Sequence, residues 1–271
     1  MLHKVVQLGG KSYFWLEKTN VVSMIQEYQV SGFRVREYEE LGSTNTEAER
    51  VGWDELEDKM VILTYRQTQG RGQIGNHWES EPGKNISMTV VFKPRELPAG
   101  QQFAVSMVIA LGTYDFISRY VGECSVKWPN DIYVGDRKIS GILIEHSIMG
   151  RYVGGSLCGI GVNINQERFL SDAPNPVSLF QLIGEEIPVE QALEELLDCI
   201  GRRYESIRDY EGLERDFLKV LYRREGVYDW EDEEGMFQAS VRGVNEFGQL
   251  ILVDERGTER VYGFKEVAYK F

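Results

Sequence analysis

The sequence predicts an α+β protein: a strand-dominated, mixed-sheet domain with a few helices, followed by a small β-barrel of SH3-like size. Three observations predict it. Short β-branched and aromatic runs crowd the middle of the chain, helical periodicity is confined to a few stretches, and from about Arg223 short strands alternate with turn residues. The chain divides accordingly into an N-terminal appendage of unassigned role (1–34), a main domain (35–222) and a C-terminal domain (223–271).

In the appendage, residues 5–8 and 12–16 read as short strands about the Gly9-Gly10 turn, and 21–28 as a short helix or strand. Phe33 opens a strand that runs to Tyr38, after which Leu41-Gly42-Ser43-Thr44-Asn45 turns into a helix. Ser43 is its expected N-cap, and Glu47 and Glu49 suit the positive end of the helix dipole. Residues 60–65 and 85–92 are β-rich runs separated by a glycine-rich segment, 67–83. Residues 98–120 read as a helix whose apolar face is Phe103, Val105, Met107, Val108, Leu111 and Phe116. Strands are expected at 124–128, 132–134, 139–146, 152–156 and 160–164. Pro188 suits the first turn of a helix reaching about Tyr210, and a second helix covers 213–222. The barrel strands are expected at 226–230, 237–244, 250–253, 259–262 and 266–269.

With 43 acids against 30 bases the formal charge is −13, which opposes nonspecific attraction to nucleic acid or to anionic membranes. No run of about 18 apolar residues could span a bilayer, and nothing resembles a signal peptide, so cytoplasm is the expected location. Cys124, Cys158 and Cys199 are widely spaced and match no metal-binding pattern; they read as buried thiols in a reducing compartment.

Chemistry concentrates in Lys127 to Leu143, KWPNDIYVGDRKISGIL, where two lysines flank Asn130 and Asp131. Pro129 closes a strand because it has no N–H to donate, and Gly135-Asp136 turns a hairpin that brings Lys127 and Lys138 to neighbouring strand ends. On its own this could be an acidic turn with two solvated lysines. Gly70-Arg71-Gly72, with Gly75 and Trp78 following, lets the backbone approach a ligand while Arg71 offers a planar donor fork, although such a loop alone is equally a surface loop. Ser43-Thr44-Asn45 serves either as a helix cap or as a reader of a polar heterocycle. Gly159-Ile160-Gly161-Val162-Asn163-Ile164-Asn165 is either a closely packed strand or an approach path for a ligand.

In this order and at these intervals, Ser43-Thr44-Asn45, GRG with its Gly and Trp, KWPND, RKISGIL and GIGVNIN resemble the catalytic domain of biotin protein ligases, and the terminal barrel resembles that family's C-terminal domain. The resemblance spans about residues 36–271. It implies the biotin/lipoate ligase type of mixed-sheet fold and a two-step reaction. Biotin and ATP give biotinyl-5′-adenylate, and a lysine of a biotin carboxyl carrier protein, of the acetyl-CoA carboxylase type, then attacks it. ATP and biotin are substrates and Mg²⁺ is the implied metal.

Carried over by motif, Lys138 takes the position of the essential lysine between the biotin carboxylate and the α-phosphate, and Lys127 supports the triphosphate. Asp131 contacts the metal, with Asn130 beside it on the ATP side. Ser43, Thr44 and Gln67 match positions that hydrogen-bond the ureido ring. Gly70, Arg71, Gly141 and Gly159 line the biotin channel, with Arg71 near the carboxylate and phosphate; Trp78 stacks on adenine and Asn163 hydrogen-bonds it. Gln73 and Asn76 stand where many members carry arginines, which removes two cationic forks from the loop. Residues 1–34 are too short for a winged DNA-reading domain and the chain as a whole is acidic, which implies a monofunctional ligase, and the resemblance allows a homodimer through sheet edges. Two other readings share the pocket: a lipoate or octanoate ligase, against which the polar Ser43-Thr44-Asn45 cluster argues, and an idle biotin sensor, against which the two retained lysines argue.

Overall fold

The computed structural model describes residues 23–72, 76–171 and 174–270, together with the backbone of an antiparallel hairpin, β1 (Val5–Leu8) and β2 (Lys11–Phe14). The main domain is built on an eight-stranded sheet of strands β3 (Met24–Val30), β4 (Phe33–Tyr38), β5 (Met60–Thr64), β8 (Ile86–Phe92), β12 (Tyr152–Val162), β11 (Arg137–Met149), β10 (Asp131–Val134) and β9 (Cys124–Lys127), in that spatial order. Only β4 and β5 pair in parallel, so the sheet is mixed. Two short strands, β6 (Gly70–Arg71) and β7 (His77–Trp78), form a ribbon outside it.

Three differences from the sequence reading matter. Residues 24–30 are a strand that pairs with β4 at the edge of the main sheet, so the boundary drawn at residue 34 falls inside β4. The segments expected as two strands at 152–156 and 160–164 are one, β12, because residues 157–159 pair with β8 and β11 across the interval between them, while Gly154 is left unpaired at a register shift. Lys127 and Lys138 are separated by β10: the lysines stand on strands two apart rather than on neighbours.

One face of the sheet is covered by α2 (Phe103–Ile117) and α4 (Val189–Glu205), which pack closely because Gly112 has no side chain; a Cβ there would stand 2.7 Å from the Ile200 Cα. Nearly every side chain of α2 is buried, as expected of a helix apolar on all sides. Arg203 on α4 binds Asp115 of α2 and Asp216 of α5 (Tyr210–Lys219), tying the three helices together. The opposite face carries α1 (Thr44–Val51) over a smaller cluster of Tyr38, Leu41, Ala48, Leu56, Met60, Ile62, Val91 and Leu157. That leaves part of this face open between α1 and β10, and the site lies there. A short helix, α3 (Leu179–Ile183), starts from a capping box made by Ser178 and Gln181.

The C-terminal domain is a five-stranded antiparallel unit in the order β16 (Glu259–Tyr262), β15 (Leu250–Asp254), β14 (Gly235–Val244), β13 (Tyr228–Asp232), β17 (Ala268–Tyr269), closed around Trp230, Val241 and Leu252. Its Gly248 turn docks on the main domain, where Gly248 faces Phe103 and its carbonyl accepts a bond from the Trp128 indole at 2.8 Å.

Candidate active site

β11 and β12 form the floor of the site. Their register pairs Gly141 with Gly161 and Leu143 with Gly159, which leaves bare backbone where side chains would project. The Trp78 indole lies on the first glycine pair: a Cβ on Gly141 would stand 2.8 Å from Trp78 Cζ3, and one on Gly161 would overlap the indole nitrogen. That nitrogen is buried without a hydrogen-bond partner among the described residues. Asn45 rests on Gly159 in the same way. The cavity left over this floor measures about 90 Å³. Small-molecule sites run to about 300–1,000 Å³, so the floor is covered by Trp78 rather than open.

The polar side of the cavity comes from the start of α1, from β8 and from Gln67. Ser43 occupies the N-cap position as expected, but its side chain makes no capping bond, and the residue lines the cavity. The Thr44 amide donates to Gln67 Oε1 at 3.0 Å. Thr89 Oγ1 lies 2.8 Å from Thr44 Oγ1 and 2.5 Å from Asn45 Oδ1, and Asn45 Nδ2 donates to Glu145 Oε2 at 2.8 Å.

Both cations on the cavity wall are compensated. Lys138 Nζ stands 2.6 Å from Asp131 Oδ2 and 5.8 Å from the centre of the Trp78 ring. Arg71 donates to Thr46, to Glu49 at 3.0 Å and to Glu145 at 2.9 Å. The guanidinium is therefore drawn to Glu49 of α1 and Glu145 of β11 and not toward Lys138, where a carboxylate and a phosphate were expected to meet it.

Of the residues singled out from sequence, Ser43, Thr44, Gln67, Arg71, Trp78, Asp131, Lys138, Gly141 and Gly159 line one cavity. Gly70 sits just behind it, its absent Cβ making room for Gln67 Nε2 at 2.8 Å. Lys127 lies off the cavity, its ammonium 3.2 Å from Tyr133 Oη and over the rings of Tyr133 and Tyr269; burial pushes it below the usual lysine range, and Asp131, its partner in register, works against that shift. Asn130 and Asn163 are buried side chains whose Oδ1 atoms lack partners among the described residues; Asn163 Nδ2 donates to the Val177 carbonyl. Gln73 lies outside the described residues. Asn76 is described, and its carbonyl accepts from the Gly72 amide at the neck of the loop.

Sequence reasoning passed over Thr89 and Glu145; Asn45 and Gly161 fell within motifs it had flagged but were given no role of their own. Strand alternation carried the signal: Gly141, Leu143 and Glu145 share one face of β11, so a carboxylate two positions beyond Leu143 stands on the site side. Glu79 was missed as well. Its carboxylate accepts from Gln166 Nε2 and from the amides of Leu170 and Ser171, tying the residue after Trp78 to the loop that leads into α3.

Residues 39–163 match the family described as the biotin/lipoate A/B protein ligase family. The chain is 26% identical to the bifunctional ligase/repressor BirA of Bacillus subtilis, over 96% of this chain and 83% of that one. It is 32% identical to the biotin–[acetyl-CoA-carboxylase] ligase of Paracoccus denitrificans, over 59% of this chain and 68% of that one. In fold it is similar to the biotin protein ligase from Aquifex aeolicus in complex with biotin and ATP, with a TM-score of 0.72 and 21% identity over 87% of this chain and 98% of that one. Sequence relatives and fold agree, and the chain belongs to the biotin/lipoate A/B protein ligase family, with biotin protein ligases as its relatives.

Proposed function

We propose that the chain joins biotin to a lysine of a biotin carboxyl carrier protein, of the acetyl-CoA carboxylase type, through biotinyl-5′-adenylate. A carboxylate oxygen of biotin attacks the α-phosphorus of ATP, the bond to the bridging oxygen breaks and pyrophosphate leaves. The carrier's amine then attacks the acyl carbon, the carbon–oxygen bond of the anhydride breaks, AMP leaves and the amine gives up a proton. Both steps need alignment and charge neutralisation more than proton transfer, which suits a cavity lined by hydrogen-bonding groups and a lysine.

One observation carries the reading. Gln67 spends its carbonyl on the Thr44 amide, which leaves its NH₂ to donate beside the Thr44 hydroxyl, over a glycine floor that ends at Lys138. A donor beside an acceptor suits a cyclic urea with a tethered carboxylate better than it suits lipoate or octanoate, whose chains would leave both groups unpaired. Lys138 meets the carboxylate and α-phosphate, Lys127 is assigned to the triphosphate, and Trp78 and Asn163 to adenine, with the free Asn163 Oδ1 accepting from its amino group.

Mg²⁺ fits the donors present. Among the described residues no three His, Cys, Asp or Glu side chains form a metal cluster, but Asp131 offers a carboxylate and Asn130 Oδ1 is buried without a partner. Mg²⁺ takes one or two protein oxygens and completes its shell with phosphates and water. Asp131 and Asn130 would hold it, and its role when bound is to offset the charge of the triphosphate.

The test is biotin-dependent release of pyrophosphate from ATP, with lipoate as the alternative acid and Lys138→Ala as the control. Release with biotin alone, reduced about 10²–10³-fold in the variant as for loss of a preorganised electrostatic group, is the expected result. Biotin binding without pyrophosphate release would favour a sensor, and equal release with lipoate would remove the biotin assignment.

A further inference from the structure

Glu145 stands at the end of a chain of hydrogen bonds that runs from β11 to the cavity wall: Glu145, Asn45, Thr89, Thr44. A carboxylate only accepts, so Asn45 must turn its NH₂ to Glu145 and its carbonyl to Thr89. A carbonyl also only accepts, and the 2.5 Å approach of Thr89 Oγ1 therefore requires the Thr89 proton to lie between them. A hydroxyl has a single proton. The contact between Thr89 and Thr44 must then be made by the Thr44 proton, which leaves Thr44 Oγ1 nothing but lone pairs for the cavity.

We infer that Glu145 is a specificity-determining positioning residue: it fixes the direction of every proton in this chain, so that Thr44 can only accept, and a ligand must bring an N–H to it. Asn45, Thr89 and Thr44 are buried, so none of them can exchange roles cheaply with bulk water. Next to Thr44, Gln67 is fixed in the opposite sense, with its carbonyl on the Thr44 amide and its NH₂ outward. The pair selects a ligand whose carbonyl and N–H are adjacent, and on the proposed function that ligand is the ureido ring of biotin.

The inference rests on that reading and is tested by calorimetric binding of biotin and of biotin methylated on its ureido nitrogens. Glu145→Gln can present either a carbonyl or an NH₂ to Asn45, so the direction is no longer imposed. The expected result is a biotin Kd raised about tenfold or more, with the preference for biotin over the methylated analogue reduced by a similar factor and ATP affinity unchanged. Because Glu145 also holds Arg71, Glu49→Gln is the comparison: it removes one of the two carboxylates on Arg71 and leaves the hydrogen-bond chain intact, so its preference for biotin over the methylated analogue stays at the parent value whatever its biotin Kd. Equal losses of that preference in the two variants, or wild-type discrimination in Glu145→Gln, would overturn the inference. If Glu145→Gln does not fold, Thr44→Val carries the test, and undiminished discrimination in that variant refutes it. Parent protein that binds no biotin refutes the proposed function, a result distinct from any of these.

Discussion

The glycine floor makes the sharpest prediction. Gly141 and Gly161 are paired across β11 and β12, and Trp78 lies flat on them. In Gly161→Ala the new methyl would stand 2.8 Å from Trp78 Cζ2 and overlap the indole nitrogen. Carbon atoms rest at about 3.5–4.0 Å, so the ring must lift by on the order of 1 Å. Below the methyl is a strand paired on both sides, so the backbone cannot yield and the indole leaves. Its departure frees a buried N–H that has no partner, which offsets much of the cost, and the unfolding temperature should hardly change. The methyl remains in the floor against whatever ring follows. Overpacking of this kind costs about 1–3 kcal/mol, which translates to a biotin Kd raised roughly 5- to 150-fold. The assay pairs calorimetric titration with tryptophan emission, Trp78 being isolated by difference from a Trp78→Phe background, and a red-shifted Trp78 component is expected in the unliganded variant. In the parent, biotin itself must displace Trp78 from a cavity of about 90 Å³, so the same component should shift on titration. A variant with parental Trp78 emission and parental affinity would refute the reasoning.

Three further outcomes are expected. Burial raises the Glu79 carboxyl, but the bonds from Ser171, Leu170 and Gln166 outweigh it and hold the group below its ordinary 4.5. A depressed folded value means the tether is fully present above pH 4.5 and is lost as pH falls through that lower value; hydrogen exchange at the Leu170 and Ser171 amides should accelerate there, and pH-independent protection would count against it. Gly248→Ala sets a methyl 2.5 Å from Phe103 Cγ at a residue with φ of +78°, adding about 1–3 kcal/mol of overpacking to about 1–2 kcal/mol of left-handed backbone strain; urea unfolding should show the sum, and a loss under 1 kcal/mol would mean the domain contact is loose. Asp131→Asn should raise the Mg²⁺ concentration needed for half-maximal pyrophosphate release by about tenfold or more, and an unchanged Mg²⁺ dependence would remove Asp131 from the metal site.

The elements were legible where one rule governed them. Residues 259–262 and the long helix of α4 emerge at or near their expected bounds because turn residues and a single apolar face fix them. β12 was read as two shorter strands, because only the pairing with β8 and β11 shows that the runs are continuous and that Gly159 and Gly161 clear space over a sheet. The site divides along the same line. Lys138, Trp78 and Thr44 stand in short motifs, whereas Thr89 and Glu145 reach Asn45 across 44 and 100 residues of sequence. Ser43 shows the reverse failure: the residue type predicts a cap, and the fold uses the position without a side-chain capping bond while the residue lines the cavity. Arg71 was read as an anion fork from its chemistry and from its motif, and the two acids that hold it come from α1 and β11.

On the proposed function, charge would also favour one orientation of the ligand along this site. Along β11 and β12 the site is a line: Lys138 and Asp131 at one end, then the Gly141 and Gly161 floor, then Gly159 under Asn45 and Thr44, then Glu145 with Arg71. Two residues of strand advance about 6–7 Å, so Gly141, Leu143 opposite Gly159, and Glu145 are each roughly one such step apart, with Lys138 three residues before Gly141. At the Lys138 end Lys138 and Lys127 share one carboxylate, Asp131, and the local charge is positive. At the Arg71 end one cation faces two carboxylates, and the local charge is negative. A ligand with an acid at one end and a neutral urea at the other is repelled in one orientation and admitted in the other. On the proposed function its carboxylate would lie at Lys138 and its urea at Thr44, the arrangement that adenylation would require. Reversing the charge balance at the Arg71 end, with Glu49→Lys, should leave urea recognition in place while raising affinity for free carboxylates such as hexanoate; competition against biotin would measure it, and unaltered hexanoate competition would show that these charges do not orient the ligand.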